Sequence, residues 1–457
     1  MMIKKLMRFN MNRFFNRTPP TKILVFGYLS IILIGALLLM LPLASKENTF
    51  TPFVDSLFTA GSATCVTGLV LFDTYTHWSV FGQLVILALI QIGGLGFVTL
   101  AILIVTFTNR RIGLSQRLVM RESIAAPQVG GIVRLARFVI SGALIFESLG
   151  ALLLSLRLVP RFGLIRGLYM SVFSSVSAFC NAGFDLMGIV EPNSSLVQFN
   201  DDPLVILTVA VLIIIGGLGF FVWDDIKANK LRWQHYRLHS KMVLTTTAFL
   251  IATATLIVFA IEYKSEAFEG MNIFEKVLNS FFHAVTPRTA GFNSVNVSVL
   301  HESTLFLTIS LMLIGGSPGS TAGGIKTTTF AVLMLNIITV SKKRSALQIF
   351  HRRIDESVLR SAVTITSTYF ILFFFAAASI SVIDGFSMTQ SLFESASAIG
   401  TVGLSTGITP QLGAISKLIL VFLMYFGRVG CLTLIYAIAT GNKAEYSKQP
   451  LEKIAVG

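Results

Sequence analysis

The sequence predicts an all-α polytopic membrane protein made of four tandem helix, pore loop, helix repeats: eight transmembrane helices and four re-entrant pore helices around one pseudo-four-fold pore. Three observations lead there. Of the 457 residues, 54% are hydrophobic and only 13% charged, with a mean hydropathy of +0.77, a balance foreign to a water-soluble domain. Apolar runs long enough to cross a bilayer alternate with runs of about a dozen residues that are too short to do so. Each short run ends in a glycine ten residues after a phenylalanine: Phe58 and Gly68, Phe173 and Gly183, Phe281 and Gly291, Phe393 and Gly403. These glycines lie roughly 110 residues apart, too far for a solenoid but enough for two spans with a re-entrant segment between them.

In chain order, full spans are expected at 22–43, 80–107, 134–158, 203–223, 241–263, 305–340, 357–383 and 415–440. The repeats then occupy 22–107, 134–223, 241–340 and 357–440, with tails at 1–21 and 441–457. A basic stretch precedes the run from Ile23 to Leu43, as in a signal peptide, but the run is long enough to span and no small-residue cleavage site follows. Twenty-six of the 36 Lys and Arg residues fall in 1–22, 108–137, 227–241, 342–360 and 443–453. These are alternate inter-helix segments, so the net charge of +14 reads as positive-inside topology with both termini cytoplasmic, and nucleic-acid binding is not indicated. Cys65, Cys180 and Cys431 fall in membrane segments without metal-ligand spacing.

Non-helical backbone at membrane depth is tolerated only where protein or a water-filled cavity surrounds it, so the residue runs after the short helices should face an interior. A dehydrated cation needs oxygen ligands, and backbone carbonyls supply them when glycine lets the chain turn successive C=O groups inward. On this reading the ligands are the carbonyls of Val66, Thr67 and Gly68; of Asn181, Ala182 and Gly183; of Thr289, Ala290 and Gly291; and of Thr401, Val402 and Gly403. The alternative is that each glycine merely caps a short helix. Three residues before the glycines stand Cys65, Cys180, Arg288 and Gly400, so the surroundings depart from four-fold symmetry. The even spans carry glycines of their own, at Gly93-Gly94-Leu95-Gly96, Gly216-Gly217-Leu218-Gly219, Gly315-Gly316 and Gly427-Arg428-Val429-Gly430. These allow either close helix packing or a wide, kinked cavity wall.

Thr401-Val402-Gly403-Leu404-Ser405 resembles the TVGYG filter of potassium channels, and the four-fold plan in one chain is similar to the Trk/Ktr/HKT superfamily of potassium transporters. The likeness spans nearly the whole chain. Eight spans and the run Thr286 to Ser294, TPRTAGFNS, are most like the Ktr-type membrane subunit. The resemblance implies K+ as the transported ion, Na+ as an activator, no cofactor on this chain, and a plasma-membrane homodimer on a ring of cytoplasmic nucleotide-binding regulatory subunits. Members with serine in the first filter are associated with sodium selectivity, so Gly68 fits the potassium-selective pattern. The basic loops 108–137 and 224–241 are candidate docking surfaces for the regulatory ring, or serve topology alone.

The sixth span is interrupted by Gly315, Gly316, Ser317, Pro318, Gly319, Ser320, Thr321, Ala322, Gly323, Gly324, Ile325 and Lys326. Glycine and proline at this density preclude a continuous helix, and a break at membrane depth belongs beside a cavity, beneath the filter. In the resembled families the equivalent loop gates the cavity, which assigns that role to 315–326. A Walker A match fails because Ile325 separates Gly324 from Lys326 and no strand precedes it. Arg428, a charge inside the last span, should face the bundle interior. It acts there as an electrostatic barrier to cations, the family role, or as a structural salt bridge or carbonyl contact. Arg288 reads as an anchor to a carboxylate or carbonyl or as an ion contact, Glu147 as a partner for a basic group, and Lys326 as a carboxylate partner or a mobile part of the gate.

Two other functions compete. An alternating-access Na+/K+ symporter would favour inverted repeats, whereas these four start on the same side. An intramembrane enzyme would need a nucleophile and base or a metal cluster, and the six histidines are scattered. The expectation is therefore a non-enzymatic, channel-like potassium uptake protein.

Overall fold

The structure, a computed structural model, describes residues 19–96, 117–119, 121–122, 130–230, 232–438 and 452. Most of both tails, the second half of the expected second span and most of the 108–137 basic loop lie outside the described residues. The first unit comprises α1 (Pro20–Met40), α2 (Phe53–Cys65) and α3 (Val80–Leu95). The second comprises α4 (Ile132–Phe162), α5 (Leu164–Cys180), α6 (Pro203–Leu218) and α7 (Phe220–Asn229). The third comprises α8 (Leu238–Glu262), α9 (Ile273–Val285), α10 (Glu302–Leu313) and α11 (Thr327–Ser341). A two-residue hairpin pairs β1 (Gln348–Ile349) with β2 (Arg352–Arg353), and α12 (Glu356–Asp384), α13 (Met388–Gly400), α14 (Ala414–Val429) and α15 (Cys431–Ile438) complete the fourth unit.

Among the described residues, α1, α4, α8 and α12 are long and apolar enough to cross a membrane, and the bent pairs α6–α7 and α14–α15 raise the number to six. Their surfaces suit lipid: Leu144, Ile145, Leu149, Leu152 and Leu156 of α4 and Ile371, Phe374 and Phe375 of α12 are all more than half exposed. Such a continuous apolar exterior would be an aggregation hazard in water. The short helices are the reverse, with α2, α5, α9 and α13 buried over most of their length. Local signals start two of them, since Asn272 with Glu275 and Ser387 with Gln390 form capping boxes at α9 and α13.

Packing closes the four units into a ring. Each long helix packs on its own short helix, in the pairs α1·α2, α4·α5, α8·α9 and α12·α13. The next apolar helix then packs on the short helix of the following unit: α3 on α5, α6 on α9, α10 on α13 and α14 on α2. An ion pair of 2.7 Å between Lys417 at the start of α14 and Asp55 at the start of α2 helps seal the last junction.

Two expectations change. The fourth and eighth spans, read as continuous, bend by 93° at Gly219 and 96° at Gly430. At these residues φ is +94° and +91° with ψ near 140°, a conformation that a side chain all but forbids. Gly96 ends α3 in the same conformation, with φ +81° and ψ 129°. The ten-residue offset also fails in the third repeat, where the fully buried equivalent of Phe58, Phe173 and Phe393 is Phe282, while Phe281 is only partly buried. Truncating one of these buried rings to alanine should cost about 3–5 kcal/mol.

Candidate ion pathway

The short helices converge on one point through the same chain reversal. α2, α5 and α13 each end on a left-handed residue, Val66 (φ 58°), Asn181 (φ 60°) and Thr401 (φ 52°). The next N–H, of Thr67, Ala182 or Val402, bonds back to Ser62 O, Ser177 O or Ser397 O at 2.8 Å in every case. Ser62 and Ser397 also turn their Oγ to accept from Gly68 N (3.1 Å) and Gly403 N (3.0 Å). The helix caps are therefore Val66, Asn181 and Thr401, not the glycines two residues on, which removes the simple capping explanation for the glycines. β-Branched residues at positive φ are uncommon and strained, and such strain gathers at functional sites.

After the cap the sign of φ alternates. Thr67, Ala182, Ala290 and Val402 are absent from the positive-φ residues, whereas Gly68, Gly183, Gly291 and Gly403 have φ of 93°, 72°, 77° and 98°. Thr289 (φ 74°) precedes Ala290 in the third unit, so the alternation holds in all four. The segments then meet in a closed circle. A Cβ at Gly68 would lie 2.5 Å from Ala182 O, and one at Gly183 would lie 2.8 Å from Ala290 O. One at Gly291 would overlap Val402 O, and one at Gly403 would overlap Thr67 O. Each glycine thus abuts the carbonyl that precedes the next, and the ring leaves no space for a side chain.

The even-helix glycines support this ring by close packing. Cβ atoms at Gly93, Gly216 and Gly427 would overlap Thr64 O, Phe179 O and Ile399 O, in each case the carbonyl four residues before the ring glycine of the same unit. The third unit differs. α9 stops at Val285, before Pro287, and Gly315 faces Gly323 O and Thr289 instead. Residues 314–326 are non-helical, as the sequence indicates, and fold back on themselves with Ile314 bridged to Ile325. Backbone bonds hold this loop to the second unit: Ser317 N to Gly217 O (2.9 Å), Thr321 N to Gly216 O (3.3 Å) and Phe220 N to Gly319 O (2.7 Å). Gly324 approaches Gly400 O and Gly323 approaches Thr401, so the loop lies against the inner side of the ring.

Arg428, in the last turn of α14, donates to carbonyls only: Nη1 to Thr321 O of the loop, and Nη2 to Gly93 O and to Gly94 O (3.0 Å) at the end of α3. It joins the first, third and fourth units at one atom cluster. Lys326 caps its own loop through Ala322 O (2.7 Å) and Gly323 O (3.2 Å), with no carboxylate partner among the described residues. Among the described residues Arg288 likewise meets neither a carboxylate nor a carbonyl. Its Nη2 donates to Thr247 Oγ1 of α8 (3.3 Å), and its Nε has no partner among the described residues. Glu147 accepts from the Gln91 amide at 3.0 and 3.2 Å and, among the described residues, not from a basic group.

Cavities lie on both sides of the ring. The one of about 220 Å³ is lined by all four ring glycines together with Asp73, Asp185, Asn293 and Ser405. The one of about 230 Å³ is lined by the loop, Arg428, Gly427 and Gly96. Asp73, Asp185 and Glu394 lie inside the repeats but are not marked by them, since no carboxylate stands at the matching positions of the other units. Asp73 accepts from Tyr75 N (3.0 Å), Thr76 N (2.8 Å) and Asn193 N (3.0 Å), joining the first two mouth loops. Glu394 holds the fourth through Ser405 Oγ (2.6 Å), Thr406 N (3.0 Å) and Thr409 Oγ1 (2.8 Å). Asp185 accepts from Met187 N (2.9 Å). Burial, with the like charge of Asp73 adding to it against the pull of that N–H, pushes the Asp185 carboxyl up to about 6.

Comparison with known proteins matches residues 2–447 to the TrkH family, described as cation transport protein. The chain is 41% identical over 424 residues to Ktr system potassium uptake protein B of Bacillus subtilis, covering 93% of this chain and 94% of that one. It is 38% identical over 447 residues to potassium/sodium uptake protein NtpJ of Enterococcus hirae, covering 96% and 98%. The crystal structure of the potassium transporter TrkH from Vibrio parahaemolyticus superposes with a TM-score of 0.73 over 92% of this chain and 84% of that one, at 18% identity, a likeness of fold.

Proposed function

This chain belongs to the TrkH family of cation transport proteins, and from that premise we propose that it is a potassium-selective, channel-like uptake protein of the plasma membrane. The observation that carries the reading is the closed ring of Gly68, Gly183, Gly291 and Gly403, each against the carbonyl before the next. Carbonyls of residues 66–68, 181–183, 289–291 and 401–403 replace the hydration shell of K+. Counting α3 and the interrupted pair α10–α11 as spans beside the two bent pairs gives, in this reading, eight around a pseudo-four-fold axis, with both termini cytoplasmic. The potential supplies about 2.3 kcal/mol per charge per 100 mV, so inward movement of K+ needs no energy-coupling site on this chain.

The loop 315–326 is the gate, and Arg428 is its latch and a positive charge on the pore wall. Asp73 and Asp185 give the outer mouth a negative field that gathers cations. The names of the two relatives, one potassium uptake and one potassium/sodium uptake, support K+ as cargo and leave Na+ a place as activator or second cargo. A homodimer on a ring of nucleotide-binding subunits follows from the Ktr resemblance. The four units follow one another around the ring in one sense, which favours a pore over the inverted repeats of a symporter.

Expression in a cell lacking its own potassium uptake tests the proposal. Rubidium and potassium uptake should appear, exceed sodium uptake, and follow the membrane potential. Uptake that collapses with a sodium or proton gradient while the potential is clamped would replace the channel with a symporter.

A further inference from the structure

A large cavity lies away from the ring, at the opposite end of α4 from its junction with α5. It is a groove of about 1160 Å³ between the first turns of α4 and the transverse helix α7, which the bend at Gly219 swings outward. Arg134, Arg137, Lys227 and Arg237 line it against one carboxylate, Asp224. All four cations are exposed, and none has an ion pair among the described residues. The neighbouring Asp225 is already engaged, accepting from Arg237 N and Asn229 Nδ2, both at 2.8 Å.

Depth and wall chemistry say what fits. The lipid-facing leucines of α4 begin at Leu144, so at 1.5 Å per residue Arg137 and Arg134 lie roughly 10 and 15 Å beyond the start of that band, at headgroup level. Between them the wall carries Leu135, Phe138 and Phe221, and Lys227 Nζ sits 4.8 Å from the ring centroid of Phe138. A soluble anion would use the cations but not this wall, whereas an amphiphile uses both. Basic pockets between membrane helices at this level take acidic lipid headgroups. We propose that the groove between α4 and α7 binds an anionic phospholipid of the inner leaflet, its phosphate among Arg134, Arg137, Lys227 and Arg237 and its acyl chains leaving along Phe138. This site requires that α4 cross a bilayer and is independent of the transport reading, so lipid binding and ion flux fail separately.

Native mass spectrometry of the full chain, with phosphatidylglycerol or phosphatidylcholine added, tests the site. Retention of phosphatidylglycerol should exceed that of phosphatidylcholine by on the order of tenfold. The variant R134Q/R137Q/K227Q/R237Q should abolish the preference, while K342Q/K343Q/R344Q, in another basic segment, should leave it within about twofold. No preference in the unaltered protein overturns the proposal, and that comparison needs no variant to fold. Equal loss in both variants would reduce the effect to general surface charge. Displacement of bound lipid by glycerol 3-phosphate would make this a soluble-anion site, and either result would also overturn it.

Discussion

Arg428→Gln should raise basal ion flux. The three bonds of Arg428 divide unequally: two go to Gly93 O and Gly94 O on α3 and one goes to Thr321 O, so the proposed opening of the loop parts only the last. Loop opening therefore breaks one charge-assisted hydrogen bond, worth about 1.5–3 kcal/mol. At 1.4 kcal/mol per factor of ten, its loss shifts the closed-to-open ratio by about 10- to 150-fold. That range is an upper bound, because the backbone bonds of Ser317, Thr321 and Gly319 to the second unit stay in place. Rubidium influx into proteoliposomes at a fixed potential reads the shift, with thermal melting to show that the variant is folded.

Arg428→Lys separates the two roles of the residue. It keeps the charge but offers one ammonium where two nitrogens now reach three carbonyls, so a latch would fail in both variants and an electrostatic barrier only in the glutamine variant. A folded Arg428→Gln protein with flux equal to or below that of the parent refutes the reasoning, since neither a latch nor a barrier would then exist.

Gly68→Ser and Gly403→Ser place a Cβ at φ of 93° and 98°, a strain of about 1–3 kcal/mol, against Ala182 O and Thr67 O. The ratio of K+ to Na+ flux should fall about tenfold in each, and unchanged ratios in both would contradict a carbonyl filter. Deleting several residues from 316–324 should raise basal K+ flux, and lower flux from a folded deletion variant would count against a gate. Asp185, held up to about 6, is charged above that pH and neutral below it. Uptake at limiting Rb+ should therefore decline a few-fold as external pH falls through about 6. Asp185→Asn should be low and flat over the same range, and identical profiles for both proteins would rule the carboxylate out.

The chain reveals its symmetry because glycine and proline mark backbone positions that composition cannot mask. Gly68, Gly183, Gly291 and Gly403 stand at positive φ, and the Gly315–Gly324 run stands where a helix cannot continue. The sharp bends at Gly219 and Gly430 were written in the same residues but hidden by apolar flanks that read equally well as a straight span. Tertiary partners were not legible. Thr247 lies 41 residues from Arg288, and Gln91 lies 56 from Glu147, and nothing in either local sequence announces the other. Phe281 was misread for a simpler reason: two adjacent phenylalanines offer two offsets, and the early stop of α9 before Pro287 selects the second.

That early stop also explains why the loop proposed as the gate belongs to the third unit. In the other three units the first glycine of the even helix presses on a carbonyl of the short helix, and the contact is repeated backbone against backbone. α9 stops at Val285, before Pro287 and six residues ahead of its ring glycine, where the other short helices stop three ahead of theirs, so Gly315 has no such carbonyl above it and the chain below unwinds into a loop. A loop joined by single backbone and hydroxyl bonds, such as Ser317 Oγ to Thr327 Oγ1 at 2.9 Å, can exchange each for water at a net cost of about 0.5–1.5 kcal/mol. The buried phenylalanines behind the ring cannot be exposed so cheaply, at about 1.5–3 kcal/mol each. Under the proposed gating, the element that moves is the one whose bonds water can replace, and the carbonyl ring it lies against keeps its shape.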